Sequence, residues 1–105
     1  MPDNNVTKLD LTPTSALNII RELAKESQKV FFTNHARERM SQRNIATSQI
    51  FRCLKTGVIT EEPFRDPKGN WKLTLESMCA GDLITVAVVL DHNEQGNYIL
   101  IITTY

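Results

Sequence analysis

The sequence predicts an α+β domain, with helices first and an antiparallel sheet of about four strands packed against them. Before Gly57 the apolar residues recur at three- and four-residue spacing, as on a helix with one buried face; beyond it they alternate or run together as in strands. A chain of 105 residues also falls within the size of one domain with one core, so the two halves must bury against each other.

The elements follow in order. Residues 1–11 are polar and read as a flexible N-terminal segment, leaving 12–105 as the domain. Thr12 offers an N-cap with Pro13 at the first helical position, and Ala16, Leu17, Ile20, Leu23 and Ala24 keep helical spacing to about Ser27. Val30-Phe31-Phe32 is apolar but too short to carry a period. Thr33 or Asn34 caps a second helix that turns Ala36 and Met40 inward and ends at Asn44. Thr47 caps a third, with Ile50, Phe51 and Leu54 inward and Gly57 where a left-handed C-terminal residue is wanted.

Val58-Ile59-Thr60 leads to Phe64 and then to Asp66-Pro67-Lys68-Gly69-Asn70, a turn composition that predicts a hairpin. Trp71, Leu73 and Leu75 alternate with Lys72, Thr74 and Glu76, so the two sets point to opposite faces of a strand. Ala80-Gly81-Asp82 makes the next turn. Leu83 to Leu90 and Tyr98 to Ile102 are apolar strands, with Asp91 to Asn97 as a loop between them. Trp71 and Phe64 suit base stacking, although core packing is the more usual fate of such residues.

No run approaches the roughly 18 apolar residues that span a bilayer, and Met1 to Thr12 lacks the order of a signal peptide, which points to a cytoplasmic protein without a membrane partner. Cys53 and Cys79 fit neither a disulfide framework nor, with His35 and His92, a zinc spacing, so both read as packing residues. A Gly-rich phosphate loop, a nucleophile elbow and a paired-carboxylate metal site are all missing from the sequence, so no cofactor is expected.

The chain is neutral overall, yet the segment Gln28–Lys55 carries +5 and the remainder −5. Its centre is the second helix, where His35, Arg39 and Arg43 stand at i, i+4 and i+8, a row of cations beside an imidazole. Like charges at this spacing repel by roughly 0.2–0.5 kcal/mol per pair, and a phosphate would relieve the repulsion. The alternative is a solvated face whose arginines pair with acids from elsewhere in the fold.

Phe32-Thr33-x-His35-Ala36-x-x-Arg39-Met40-x-x-Arg43-x-Ile45, a helix ending Leu54-x-x-Gly57-x-Ile59 and a last strand Ile101-Ile102-Thr103-Thr104-Tyr105 resemble a family of small bacterial domains of unknown function. That family is similar to the RelE and BrnT toxins, within the barnase, EndoU, colicin and RelE group of ribonuclease-like folds. The resemblance covers roughly Val30 to Tyr105. It implies a RelE-like fold and an RNA substrate, with two outcomes for function: a metal-independent endoribonuclease, as in the toxin of a toxin–antitoxin pair, or a noncatalytic domain that grips an antitoxin or another acidic protein.

Such RNA cleavage needs a base for the ribose 2′-hydroxyl, an acid for the leaving 5′-oxygen and fixed cations on the phosphate. His35 suits either proton step, and Arg39 and Arg43 could fork onto non-bridging oxygens. Lys72 and Tyr105 complete the catalytic candidates. Lys72 could face the helix of His35 or be an exposed strand lysine; Tyr105 could donate a proton, stack on a base or close the sheet edge. Arg37, Arg52 and Thr103 are the further RNA-binding candidates. After Lys55 the strands hold few cations, namely Arg65, Lys68 and Lys72 among several acids, which argues against a ribosome-bound toxin.

Overall fold

The computed structural model describes residues 10–105, and Val6 besides; the segment expected to be flexible, 1–11, lies mostly outside the described residues. Helix α1 (Pro13–Ala24) opens with a reciprocal capping box. The Ser15 N–H donates to Thr12 Oγ1 at 3.1 Å and the Thr12 N–H to Ser15 Oγ at 2.9 Å. Ala16, Ile20, Leu23 and Ala24 are its buried face. The helix stops at Ala24, earlier than the apolar spacing suggested, and a 3₁₀ turn (Ser27–Lys29) leads into β1 (Val30–Phe32).

β1 is the main departure from expectation. It pairs in parallel with the last strand, β5 (Gly96–Thr104), in the register Val30↔Ile99, Phe31↔Leu100 and Phe32↔Ile101. The sheet is therefore five-stranded and mixed instead of four-stranded and antiparallel, in the order β1-β5-β4-β3-β2 with β2 (Val58–Arg65), β3 (Trp71–Cys79) and β4 (Asp82–Asn93). The class is α+β as the sequence indicates. Three residues cannot show a period, and their partner lies at the other end of the chain, so only tertiary pairing makes them a strand.

Helix α2 (Asn34–Arg43) begins where β1 leaves the sheet. The Thr33 hydroxyl accepts from the Ala36 N–H at 3.0 Å and donates to the Ile102 carbonyl at 2.9 Å, while the Thr33 N–H donates to the Ile101 carbonyl at 3.0 Å. One threonine thus caps the helix and ties it to β5. At the other end Asn44 takes the left-handed conformation (φ 55°), and the N–H groups of Asn44 and Ile45 close onto the Ser41 and Met40 carbonyls in a Schellman arrangement.

Helix α3 (Thr47–Thr56) is capped one residue earlier than the sequence suggested. Ala46 is the N-cap, and with no side-chain oxygen of its own it relies on Gln49 Oε1, which accepts from the Ala46 N–H at 2.8 Å. Gly57 is not left-handed: its φ is −70°. Glycine is needed there because a Cβ would collide with the Cys53 carbonyl oxygen and stand 3.1 Å from that of Glu76. Arg21 of α1 closes the same helix end, donating from Nε to the Lys55 carbonyl at 3.0 Å and from Nη2 to that of Gly57 at 2.9 Å.

The helices bury against one face of the sheet, where Trp71, Leu73, Leu75, Ile84, Val86, Val88, Leu90, Ile99 and Ile101 join them in a single core. Lys72, Thr74, Ala87, Val89 and Leu100 point the other way. Phe64 pairs with Lys72 on that side and is exposed, against the expectation that it packs in the core. The expected loop Asp91–Asn97 is mostly strand, with Asp91↔Tyr98, His92↔Asn97 and Asn93↔Gly96 continuing the ladder, because backbone pairing tolerates polar side chains where both faces meet water. Between Ala87 and Val88 the β4–β5 register slips: Ala87 pairs with Thr103 and Val88 with Ile101, leaving Ile102 as the extra residue whose carbonyl Thr33 takes.

Candidate functional site

At about 100° per residue, Arg43, Arg39 and His35 stand about 20°, 60° and 100° from Ala36, the residue that anchors α2 in the core. His35 and Arg43 are exposed and Arg39, between them, is half-buried. Ala36 and Met40 are buried, as the inward stripe requires.

Arg39 is fixed against the end of β5, with Nε 3.4 Å from the Thr104 carbonyl and Nη1 3.4 Å from Gln42 Oε1, so most of its donors stay open. Thr104 itself is buried and donates through Oγ1 to the Thr85 carbonyl at 2.8 Å, and the Tyr105 N–H donates to the same oxygen at 3.1 Å. The strand end that meets α2 is thus held rigidly. Arg43 and Tyr105, far apart in the chain, line one cavity of about 260 Å³ at this corner. Half of the Tyr105 surface is exposed there.

Among the described residues, Arg37, Arg39, Arg43 and Arg52 make no ion pair with Asp or Glu, whereas Lys25 pairs with Glu22, Lys29 with Glu26 and His92 with Asp91. No acid from elsewhere among the described residues is thus ion-paired to these arginines, although Asp82 lines the same cavity as Arg43.

The other candidates lie apart. Lys72 is on the helix-free face, in line with Phe64 on β2 and Val89 on β4, and β3 is separated from β5 by β4, so it does not face the helix of His35. Arg37 turns toward Phe32, its guanidinium carbon 5.0 Å from the ring centroid. Arg52 sits with Lys55 in a shallow depression on the outer side of α3. Thr103 pairs with Ala87 and shares the helix-free side, its hydroxyl 3.4 Å from the Thr104 carbonyl. The structure therefore places Arg43 and Tyr105 on one cavity and Arg39 against the neighbouring Thr104 carbonyl, with His35 a turn before Arg39, and leaves Lys72, Arg37, Arg52 and Thr103 apart from them.

Sequence reasoning missed Asn44, Gln49, Asp82 and Leu83, which line the cavity with Arg43 and Tyr105. Asn44 and Asp82 read only as turn residues, and nothing local marks Gln49. Away from this corner, burial pushes the Cys53 thiol up, and burial with the Asp91 carboxylate beside it pushes the Tyr98 phenol up. Among the described residues there is no group of three or more His, Cys, Asp or Glu side chains placed to share a metal ion, and no helix long and apolar enough to cross a membrane.

No curated protein and no solved structure matches the chain. One family model does, described as "Domain of unknown function (DUF4258)", and it matches residues 32–105. The matched stretch runs from the end of β1 to Tyr105 and holds every residue of the α2–β5 corner, while α1 precedes it. The chain belongs to the DUF4258 family.

Proposed function

We propose that the domain binds RNA through the α2–β5 corner and cleaves it without a metal, in the manner of the RelE-like toxins its motif resembles. The observation that supports this reading is the unpaired row: Arg39 and Arg43 form no ion pair among the described residues, Arg39 reaches the Thr104 carbonyl, and Arg43 shares a cavity with Tyr105. Two guanidiniums left open at one corner create a local positive potential despite a neutral chain, and planar forks of this kind match phosphate oxygens. His35, Arg39 and Arg43 follow one another at about 6 Å of helix rise, comparable to the step between phosphates of an extended strand.

In the proposed reaction the ribose 2′-oxygen attacks phosphorus as its proton leaves, the bond to the 5′-oxygen breaks, and that oxygen takes up a proton. The products are a 2′,3′-cyclic phosphate and a 5′-hydroxyl. His35 serves one of the two proton transfers and Arg39 and Arg43 hold the phosphate as charge builds on it.

The test is incubation of the purified protein with end-labelled RNA in EDTA. Cyclic-phosphate ends are expected, and His35→Ala should lower the rate by about 10²–10⁴-fold with the circular dichroism unchanged. Binding that falls with salt but yields no products would reduce the reading to an RNA-binding domain. No binding at low salt would favour a second reading, a noncatalytic domain for an antitoxin or another acidic protein. That reading has its own observation, the exposed Phe31 and Phe64 on the helix-free sheet face.

A further inference from the structure

We infer that the cavity beside Arg43 is a base-reading pocket for guanine, with Asp82 as the residue that selects it; this rests on the RNA reading above. The cavity of about 260 Å³ joins the end of α2, the start of α3, the start of β4 and Tyr105. That volume suits one nucleobase, being below the range of pockets for drug-sized ligands.

Asp82 is the informative member. A carboxylate repels phosphate, so its place beside Arg43 in a phosphate-binding corner calls for a different ligand group. Asp82 is paired with Cys79 through the β3–β4 ladder, but its carboxylate has no hydrogen bond or ion pair among the described residues, although Arg43 lines the same cavity. The cation and the anion are therefore separately available: one for a phosphate, the other for N–H donors.

Guanine is the base that fits two carboxylate oxygens. Its N1–H and N2–H groups are adjacent, parallel donors, which a carboxylate accepts in the same forked geometry that it uses with arginine. Adenine and cytosine each set one amino donor beside a ring acceptor, and uracil flanks its single N–H with two carbonyls, so all three would turn lone pairs toward Asp82. Gln49 adds a donor. Its Oε1 is held by the Ala46 N–H at 2.8 Å, which leaves the amide NH₂ for an acceptor such as guanine O6 or N7. Tyr105, half exposed, and Leu83, 56% exposed, supply the flat and apolar surface that a base face requires.

The test uses fluorescein-labelled hexanucleotides UUUGUU, UUUAUU, UUUCUU and UUUUUU, titrated against the full chain at one low salt concentration. The wild type is expected to bind UUUGUU about tenfold or more tightly than the other three, as a matched forked contact should discriminate. Asp82→Asn, which keeps the shape but exchanges one acceptor for a donor, should bring that ratio below about threefold. Gln49→Ala should lower it in part. Binding of all four oligonucleotides with equal affinity, a preference for another base, or a guanine preference that survives Asp82→Asn would each overturn the pocket assignment while leaving RNA binding intact. Failure to bind any of the four would overturn the RNA reading itself and this inference with it.

Discussion

Replacing Thr33 by valine removes one hydroxyl and nothing of the side chain's shape, yet two separate contacts depend on that oxygen. It accepts from the Ala36 N–H at 3.0 Å and donates to the Ile102 carbonyl at 2.9 Å, both in a partly buried setting. Loss of an N-cap costs about 1 kcal/mol, within a range of roughly 0.5–2. Loss of the bond to Ile102 adds about 0.5–1.5 kcal/mol, because the bulge leaves that carbonyl outside the β4–β5 ladder and no neighbouring strand can replace the donor. The two share one oxygen and will not add fully, so Thr33→Val should destabilise by about 1.5 kcal/mol. Urea unfolding followed by circular dichroism measures this as a midpoint lowered by about 1 M at unchanged slope. Thr33→Ser keeps the hydroxyl and should recover most of the loss. A Thr33→Val midpoint within about 0.3 M of wild type would refute the claim that this side chain docks α2 on β5.

Gly57→Ala should destabilise by about 2–3 kcal/mol because its Cβ meets backbone carbonyls, whereas Gly69→Ala, at φ 85° with open space around it, should cost about 1 kcal/mol; equal losses in urea melts would contradict the close-approach argument. Arg39→Ala and Arg43→Ala should each lower the slope of log affinity against log salt for single-stranded RNA by roughly 0.7, and Lys72→Ala should leave it unchanged; a loss at Lys72 equal to theirs would move the interface to the helix-free face. The buried Cys53 thiol links stability to pH: its contribution is full below the ordinary value of 9.0 and is lost as pH rises from there through the raised folded value, since the unfolded chain ionises first. Urea midpoints should therefore fall from about pH 8.5 upward, less steeply in Cys53→Ala, and identical pH profiles for the two proteins would refute the linkage.

Much of the fold is local chemistry and was legible for that reason. The Thr12 cap, the inward stripes of α1 and α2, and the Asp66 turn, where Oδ1 accepts from the Lys68 and Asn70 N–H groups at 2.9 and 3.0 Å, depend on residues a few positions apart. What escaped depends on distant partners. β1 exists because β5 is beside it, the polar ends of β4 and β5 are strands because they face each other, and Gly57 is required by β3 crowding the end of α3. Composition alone suggested a left-handed glycine at that point; the same residue type answers a different demand.

The site divides along the same line. Helical spacing fixes the angles between His35, Arg39 and Arg43 wherever α2 docks, so the row was readable. The cavity that Arg43 shares with Tyr105, and the side of the sheet on which Lys72 emerges, depend on packing. Charge pairing also explains how a neutral chain keeps this row open. Glu22 and Glu26 are engaged by Lys25 and Lys29 on their own turns. Glu61 accepts from the Thr74 hydroxyl at 3.0 Å, Glu76 from that of Thr85 at 3.2 Å, Asp66 holds its turn, and Asp91 receives the Tyr98 hydroxyl at 3.2 Å. Each of these acids is satisfied within its own hairpin or helical turn, away from α2. Six of the twelve acids are thereby engaged in local structure, and Arg39 and Arg43 retain the open donors that an external anion would take.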